Sequence, residues 1–82
     1  MYLNVGADIL VRVEKIIGIF DLDSASTAED TKAILKKAER EGALIQAGYE
    51  LPKSFVLTSD GKIHLSQFSA KVLRIKAQRL LI

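Results

Sequence analysis

Eighty-two residues with 12 bases, 10 acids, one histidine and no cysteine describe a single small domain, 1–82, and exclude disulfides, cysteine-held zinc and a histidine-rich metal site. The chain is 49% hydrophobic but only 6% aromatic, more aliphatic surface than so small an interior can absorb, so oligomerisation is the expected route to stability. The net charge of +2 is polarised: residues 1–60 carry seven bases and ten acids, while five bases and no acid follow Asp60, which suits a polyanionic partner better than an enzyme.

In chain order, Met1–Val5 reads as a strand and Gly6-Ala7-Asp8 as a turn. Ile9–Val13 and Ile16–Phe20 are β-branched, apolar strands, with Glu14-Lys15 marking a bulge or tight connection. Simple alternation puts Ile17 and Ile19 on one face of the second, and Ile16, Gly18 and Phe20 on the other. Both faces are apolar, so the strand is sandwiched within the subunit or half covered by a neighbour.

Ser26-Thr27-Ala28-Glu29 is a capping-box pattern that predicts a helix over about 27–41. Acids in its first turn, bases near its end and Gly42 as its stop all fit the macrodipole and the C-terminal motif. Its apolar stripe is Ala28, Thr31, Ile34, Leu35 and Ala38. A short strand follows at 43–47, then a loop in which Pro52 forbids continued pairing. Ser54–Thr58 and Lys62–Ser66 flank Asp60-Gly61, a hairpin signal.

A last helix is predicted from near Ser69 to about Leu80. One stripe, Ala70, Leu73, Ala77, Leu80 and Leu81, suits a sheet. A second, Val72, Ile75 and Ile82, has no use in a monomer, and Val72 and Ile75 are the candidate oligomer contacts. Bases fill the gaps between the two. A membrane-surface helix would separate one apolar face from one basic face, so packing between subunits is the better reading and no membrane partner is expected. The first dozen residues, containing Asp8 and Arg12, do not read as a secretory signal, and no apolar run approaches the ~18 residues of a membrane span. A cytoplasmic location is expected.

No catalytic constellation stands out. His64 has no second histidine or cysteine to join it, no serine has a His–Asp arrangement around it, and no phosphate-binding glycine loop occurs. Asp21 and Asp23 read as loop-organising acids rather than metal ligands. No cofactor is expected. Of the aromatics only Tyr49 falls in a loop, so a base-stacking platform for single strands is disfavoured against double-stranded backbone binding.

The order of elements, with "MYLNVGADILV" at the start, "KIIGIFD" at 15–21, "PKSFVLT" at 52–58 and the closing "LSQFSAKVLRIKAQR", resembles the bacterial extracellular matrix regulator family of the RemA/RemB type, closest to the RemB branch. The resemblance covers nearly the whole chain. It implies a DNA-binding regulator of biofilm matrix genes without a helix-turn-helix, built as a closed ring that repeats its DNA contacts. In the RemA branch, bases occur just before the Ile-Ile strand and in a later loop. The first corresponds to Lys15. The second stretch reads Tyr49-Glu50-Leu51-Pro52-Lys53, where the arginine pair is missing and Lys53 remains.

Each base also has a plain reading. Lys15 can be a solvated strand-end lysine, Lys53 a loop charge, and Arg12 a guard against edge pairing. As phosphate contacts, Lys15 would meet DNA at the sheet rim, Lys53 from a loop stiffened by Pro52, and Arg12 through its planar fork. The expectation is an α+β domain with a small, mainly antiparallel sheet and two helices, forming a ring-like homo-oligomer. It binds double-stranded DNA through Arg12, Lys15 and Lys53; alternatively it is an interaction module that acts through a DNA-binding paralogue.

Overall fold

The computed structural model describes residues 1–22, 29–47 and 51–80. The first two strands, β1 (Tyr2–Gly6) and β2 (Ile9–Arg12), form a hairpin of their own. Ala7 and Asp8 link them with φ of 50° and 60°, the left-handed geometry a two-residue hairpin turn requires. A 3-10 turn, Val13–Lys15, then leads into β3 (Ile16–Asp21). It is the tight connection expected around Glu14.

Helix α1 (Glu29–Arg40), β4 (Leu44–Ala47), β5 (Ser54–Thr58), β6 (Ile63–Ser66) and α2 (Ala70–Leu80) complete the chain. The second sheet has the order β3-β5-β6-β4. Its β3–β5 and β5–β6 pairs are antiparallel and β6–β4 is parallel. The fold is α+β with two helices, as the residue pattern predicts, with one parallel pair added.

The two helices end as their sequences dictate. At the end of α1, Gly42 takes φ of 71°; its N–H reaches Glu39 O and the Ala43 N–H reaches back to Ala38 O at 2.8 Å. Those are the two bonds of a Schellman motif, and Ala43 packs against the cluster that holds Ala38. At the start of α2, the Ser69 hydroxyl accepts the Val72 N–H at 3.2 Å, an N-cap. The capping residues expected for α1, Ser26 to Ala28, lie outside the described residues, as do Asp23, Tyr49, Leu81 and Ile82.

Alternation along β5 sorts the core into two layers. Val56 faces the hairpin and α2, where Leu3, Val5, Val11, Val56 and Leu73 are buried and Ile16, Ile19, Ala77 and Leu80 pack around them. Phe55 and Leu57 face α1, with Ala38 and Ile63. Each fully buried aliphatic side chain stabilises the fold by roughly 1.5–3 kcal/mol.

Hydroxyls tie the hairpin layer down. Ser66 Oγ donates to Val5 O at 2.6 Å and accepts the Phe68 N–H at 3.1 Å, while Ser54 Oγ donates to Phe68 O at 2.7 Å.

The face assignment along β3 needs correction. Its register against β5 shifts between Ile16 and Gly18, a bulge. The extra residue puts Ile16 and Ile19 together on the α2 side and leaves Ile17 64% exposed. Strict alternation misplaced Ile17 because a bulge resets the period. Beyond it, Phe20 stacks on Phe55 at 5.0 Å between ring centroids, and its ring lies over Gly18, where a Cβ would come within 2.6 Å.

Candidate nucleic-acid interface

Arg12 ends β2, exposed and directly opposite Tyr2 across the hairpin. Its neighbour Val11 is buried, so alternation turns Arg12 outward as expected. Glu14 Oε2 accepts from Arg12 Nε at 3.3 Å, and Glu14 Oε1 accepts from the Met1 amino group at 2.8 Å. That amino group first, and Arg12 to a lesser degree, hold the Glu14 carboxyl below its usual range.

Lys15 closes the 3-10 turn. Its carbonyl accepts the Ser59 N–H at 2.8 Å, which fixes the turn against the β5–β6 connection. Asp60 organises that connection. Its Oδ1 accepts from the Thr58 hydroxyl at 2.5 Å and from the Lys62 N–H at 3.2 Å. The Thr58 hydroxyl is the chief cause of a lowered Asp60 pKa, followed by the Lys62 N–H and then the Lys62 and Lys15 charges. Asp60 is therefore anionic and set between two lysines.

Arg12, Lys15 and Lys62 thus converge on one cleft of about 210 Å³, shared with Leu10, Val11, Thr58, Asp60 and His64. Lys62 was not among the expected site residues. The Asp60-Gly61 hairpin signal could have found it, since it places Lys62 beside the end of β5, where Lys15 must arrive.

His64 is 8% exposed, and its Nδ1 is buried without a hydrogen-bond partner among the described residues. Such a group costs roughly 1–3 kcal/mol. Burial lowers its pKa first, Lys62 pushes the same way, and Asp60 opposes them.

Lys53 stands apart from this group. Its N–H donates to Ser66 O at 2.8 Å and its carbonyl accepts the Leu22 N–H at 3.0 Å, so its backbone is pinned while the residue stays exposed. It precedes the first residue of β5, whereas Lys15 sits beside the last. Five residues of strand put the two backbones roughly 17 Å apart. The structure brings Arg12 and Lys15 together and leaves Lys53 at the far end.

The bases of α2 are partly spent within the subunit. Arg74 Nη2 donates to Ile19 O at 2.7 Å, and Lys76 Nζ lies 3.9 Å from the Phe68 ring centroid, a cation–π contact. Between them Val72 and Ile75 are 40% and 41% exposed. Of the aromatics, Tyr2 and Phe20 are exposed.

Among the described residues no group of three His, Cys, Asp or Glu gathers, and no helix is long and apolar enough to cross a membrane. The family model described as "RemA-like: Extracellular matrix regulatory protein A-like" matches residues 2–77. No curated protein matches the sequence.

Proposed function

The chain belongs to the RemA-like family of extracellular matrix regulatory proteins, a regulatory rather than an enzymatic family, and on that premise we propose that it is a DNA-binding regulator of biofilm matrix genes. The observation that carries this reading is the convergence of Arg12, Lys15 and Lys62 on one exposed cleft. Its work is phosphate neutralisation, with no bond made or broken. Lys53, roughly 17 Å away by strand length, meets a different phosphate of the same duplex.

One subunit offers few contacts, so affinity comes from repetition in a cyclic homo-oligomer, where each bound subunit raises the effective concentration of the next. The exposed Val72 and Ile75 supply the subunit contact. Sequence preference then comes from DNA shape and bendability rather than base edges. Within the family, the short N-terminal strand, "GIFD" at 18–21 and "PKS" at 52–54 support a reading on the RemB side, and the loop ending at Lys53 lacks the arginine pair of the RemA side.

A gel shift of the purified chain on duplex DNA tests this reading. Binding at low salt should weaken steeply as salt rises, by about 0.9 in the log–log slope per phosphate neutralised. Lys15→Ala and Lys53→Ala should each reduce affinity, with nearly additive losses because the sites are separate. Val72→Glu should disperse the oligomer and abolish binding together. Absence of any shift at low salt would replace this reading with an interaction module acting through a DNA-binding paralogue. The missing arginine pair and the Glu14 contact on Arg12 favour that second reading.

A further inference from the structure

The cleft that gathers Arg12, Lys15 and Lys62 is more than a flat basic rim. Its boundary includes His64 and Thr58, both buried, and the wall formed by Leu10 and Val11 of β2. The cations stand with Asp60, whose Oδ1 is already held by Thr58 and the Lys62 N–H. Three positive side chains against that one carboxylate leave a local surplus of two positive charges. Glu14 engages Arg12 but is not part of the cleft lining, and its charge is shared with the Met1 amino group.

A phosphodiester in a DNA backbone carries one negative charge and a substituent on each side, which hold it at a rim. A terminal phosphate carries close to two charges near neutral pH, with three free oxygens, and can enter a concavity. About 210 Å³ is ample for such a group. His64 is a second, independent feature of the lining: a residue nine-tenths buried that borders the same cleft as the three cations.

We propose that the cleft formed by Arg12, Lys15, Lys62 and His64 binds the terminal phosphate of a small phosphomonoester, such as a nucleotide or sugar phosphate, as an effector site.

Because Arg12 and Lys15 also serve the proposed DNA contact, this ligand competes with DNA; that regulatory consequence, though not the binding itself, rests on the DNA reading. The charged groups around His64 are Asp60 and Lys62, which act on it in opposite directions, and Arg12 and Lys15, which line the same cleft from β2 and the 3-10 turn. A dianion added among them favours the charged imidazole.

The test is a titration of the full chain, followed by NMR, with inorganic phosphate, AMP, and dimethyl phosphate as the diester control, all at matched ionic strength. AMP should give saturable shifts at Lys15, Lys62 and His64, and the His64 ring should titrate at higher pH when AMP is bound. Lys62→Ala, an exposed change that leaves folding intact, should weaken AMP binding at least fivefold. His64→Gln should do the same, and if it fails to fold, Lys62→Ala alone decides. Dimethyl phosphate binding as well as AMP would make the cleft a backbone seat and overturn the proposal. Shifts that do not saturate, or survive Lys62→Ala, mean an adventitious ion only and overturn it too. A duplex-DNA arm separates the two ideas: AMP binding without any DNA binding sinks the DNA reading and leaves this site standing, and DNA binding without AMP binding does the reverse.

Discussion

The side of the four-stranded sheet beneath α2 is sealed, whereas the side beneath α1 is half open, although the same strands build both. Under α2 the β1–β2 hairpin adds a second cover, and Leu3, Val5, Val56 and Leu73 are almost wholly removed from water. Under α1 the only buried helical residue is Ala38, and Ile34 stays 52% exposed. A cleft of about 160 Å³, lined by Phe20, Thr31, Ile34, Phe55, Leu57 and Ile63, runs between α1 and the sheet. Hydrophobic composition therefore does not report where stability resides. The hairpin side carries the fold, and much of the surplus aliphatic surface lies on α1, on β3 and on the outer stripe of α2.

Four tests probe this difference, taken from the largest expected effect. Leu73→Ala should cost about 2–5 kcal/mol, because a fully buried leucine leaves a cavity that its neighbours fill only in part. Ile34→Ala on the open side should cost under about 1 kcal/mol by comparison. Urea unfolding of both variants measures the contrast, and equal losses would mean that α1 is packed as tightly as α2.

Ser66→Ala removes the hydroxyl that bridges Val5 O and the Phe68 N–H. Stranding buried partners costs roughly 1–3 kcal/mol. Amide exchange should then quicken in β1 and β2 before it does in β5. Uniform acceleration would show that the hairpin does not come away as a unit.

Gly18→Ala drives a methyl into the Phe20 ring and displaces it from Phe55. The stacked pair is worth about 0.5–1.5 kcal/mol, and the half-exposed ring can swing outward, so the loss should stay near that size. The aromatic shifts of Phe55 report whether the stack is lost.

The smallest effect is that of pH on His64. Its folded pKa lies below the ordinary 6.5, chiefly through burial. The unfolded chain then takes up the proton first. The contribution is present in full above 6.5 and is lost as pH falls through the lowered folded value. Melting temperature should drop over that window in the native protein and drop less in His64→Gln. Identical pH profiles would show that His64 does not couple to folding.

Much of the fold was legible because its signals are local. The Gly42 stop, the helix start near Ser69, the Asp60-Gly61 hairpin and the Gly6–Asp8 turn each rest on the chemistry of two to four adjacent residues. What stayed hidden depends on partners distant in the chain. The bulge at Ile17 is defined only against β5, and the parallel β4–β6 pair only once α1 has crossed over. The site divides in the same way. Arg12 and Lys15 could be picked as bases near strand ends, but their grouping with Lys62, and the separation of Lys53, follow from β5 lying between them. Arg74 and Lys76 looked as free as any other base until Ile19 and Phe68 were in place.

The Arg74 contact with Ile19 guards one margin of the four-stranded sheet. The Leu22–Lys53 bond sets the alternation along β3, so that Ile19 belongs to a pair that does not bond to β5 and its carbonyl points away from the sheet. The guanidinium of Arg74 occupies that outward carbonyl, and the bulge at Ile17 bends the same margin. A stray strand seeking to zip onto β3 meets a filled acceptor and a broken ladder, although the strand is apolar on both sides and otherwise an inviting template for fibrils. Open-ended backbone pairing along this margin, which has no natural end, is thereby disfavoured.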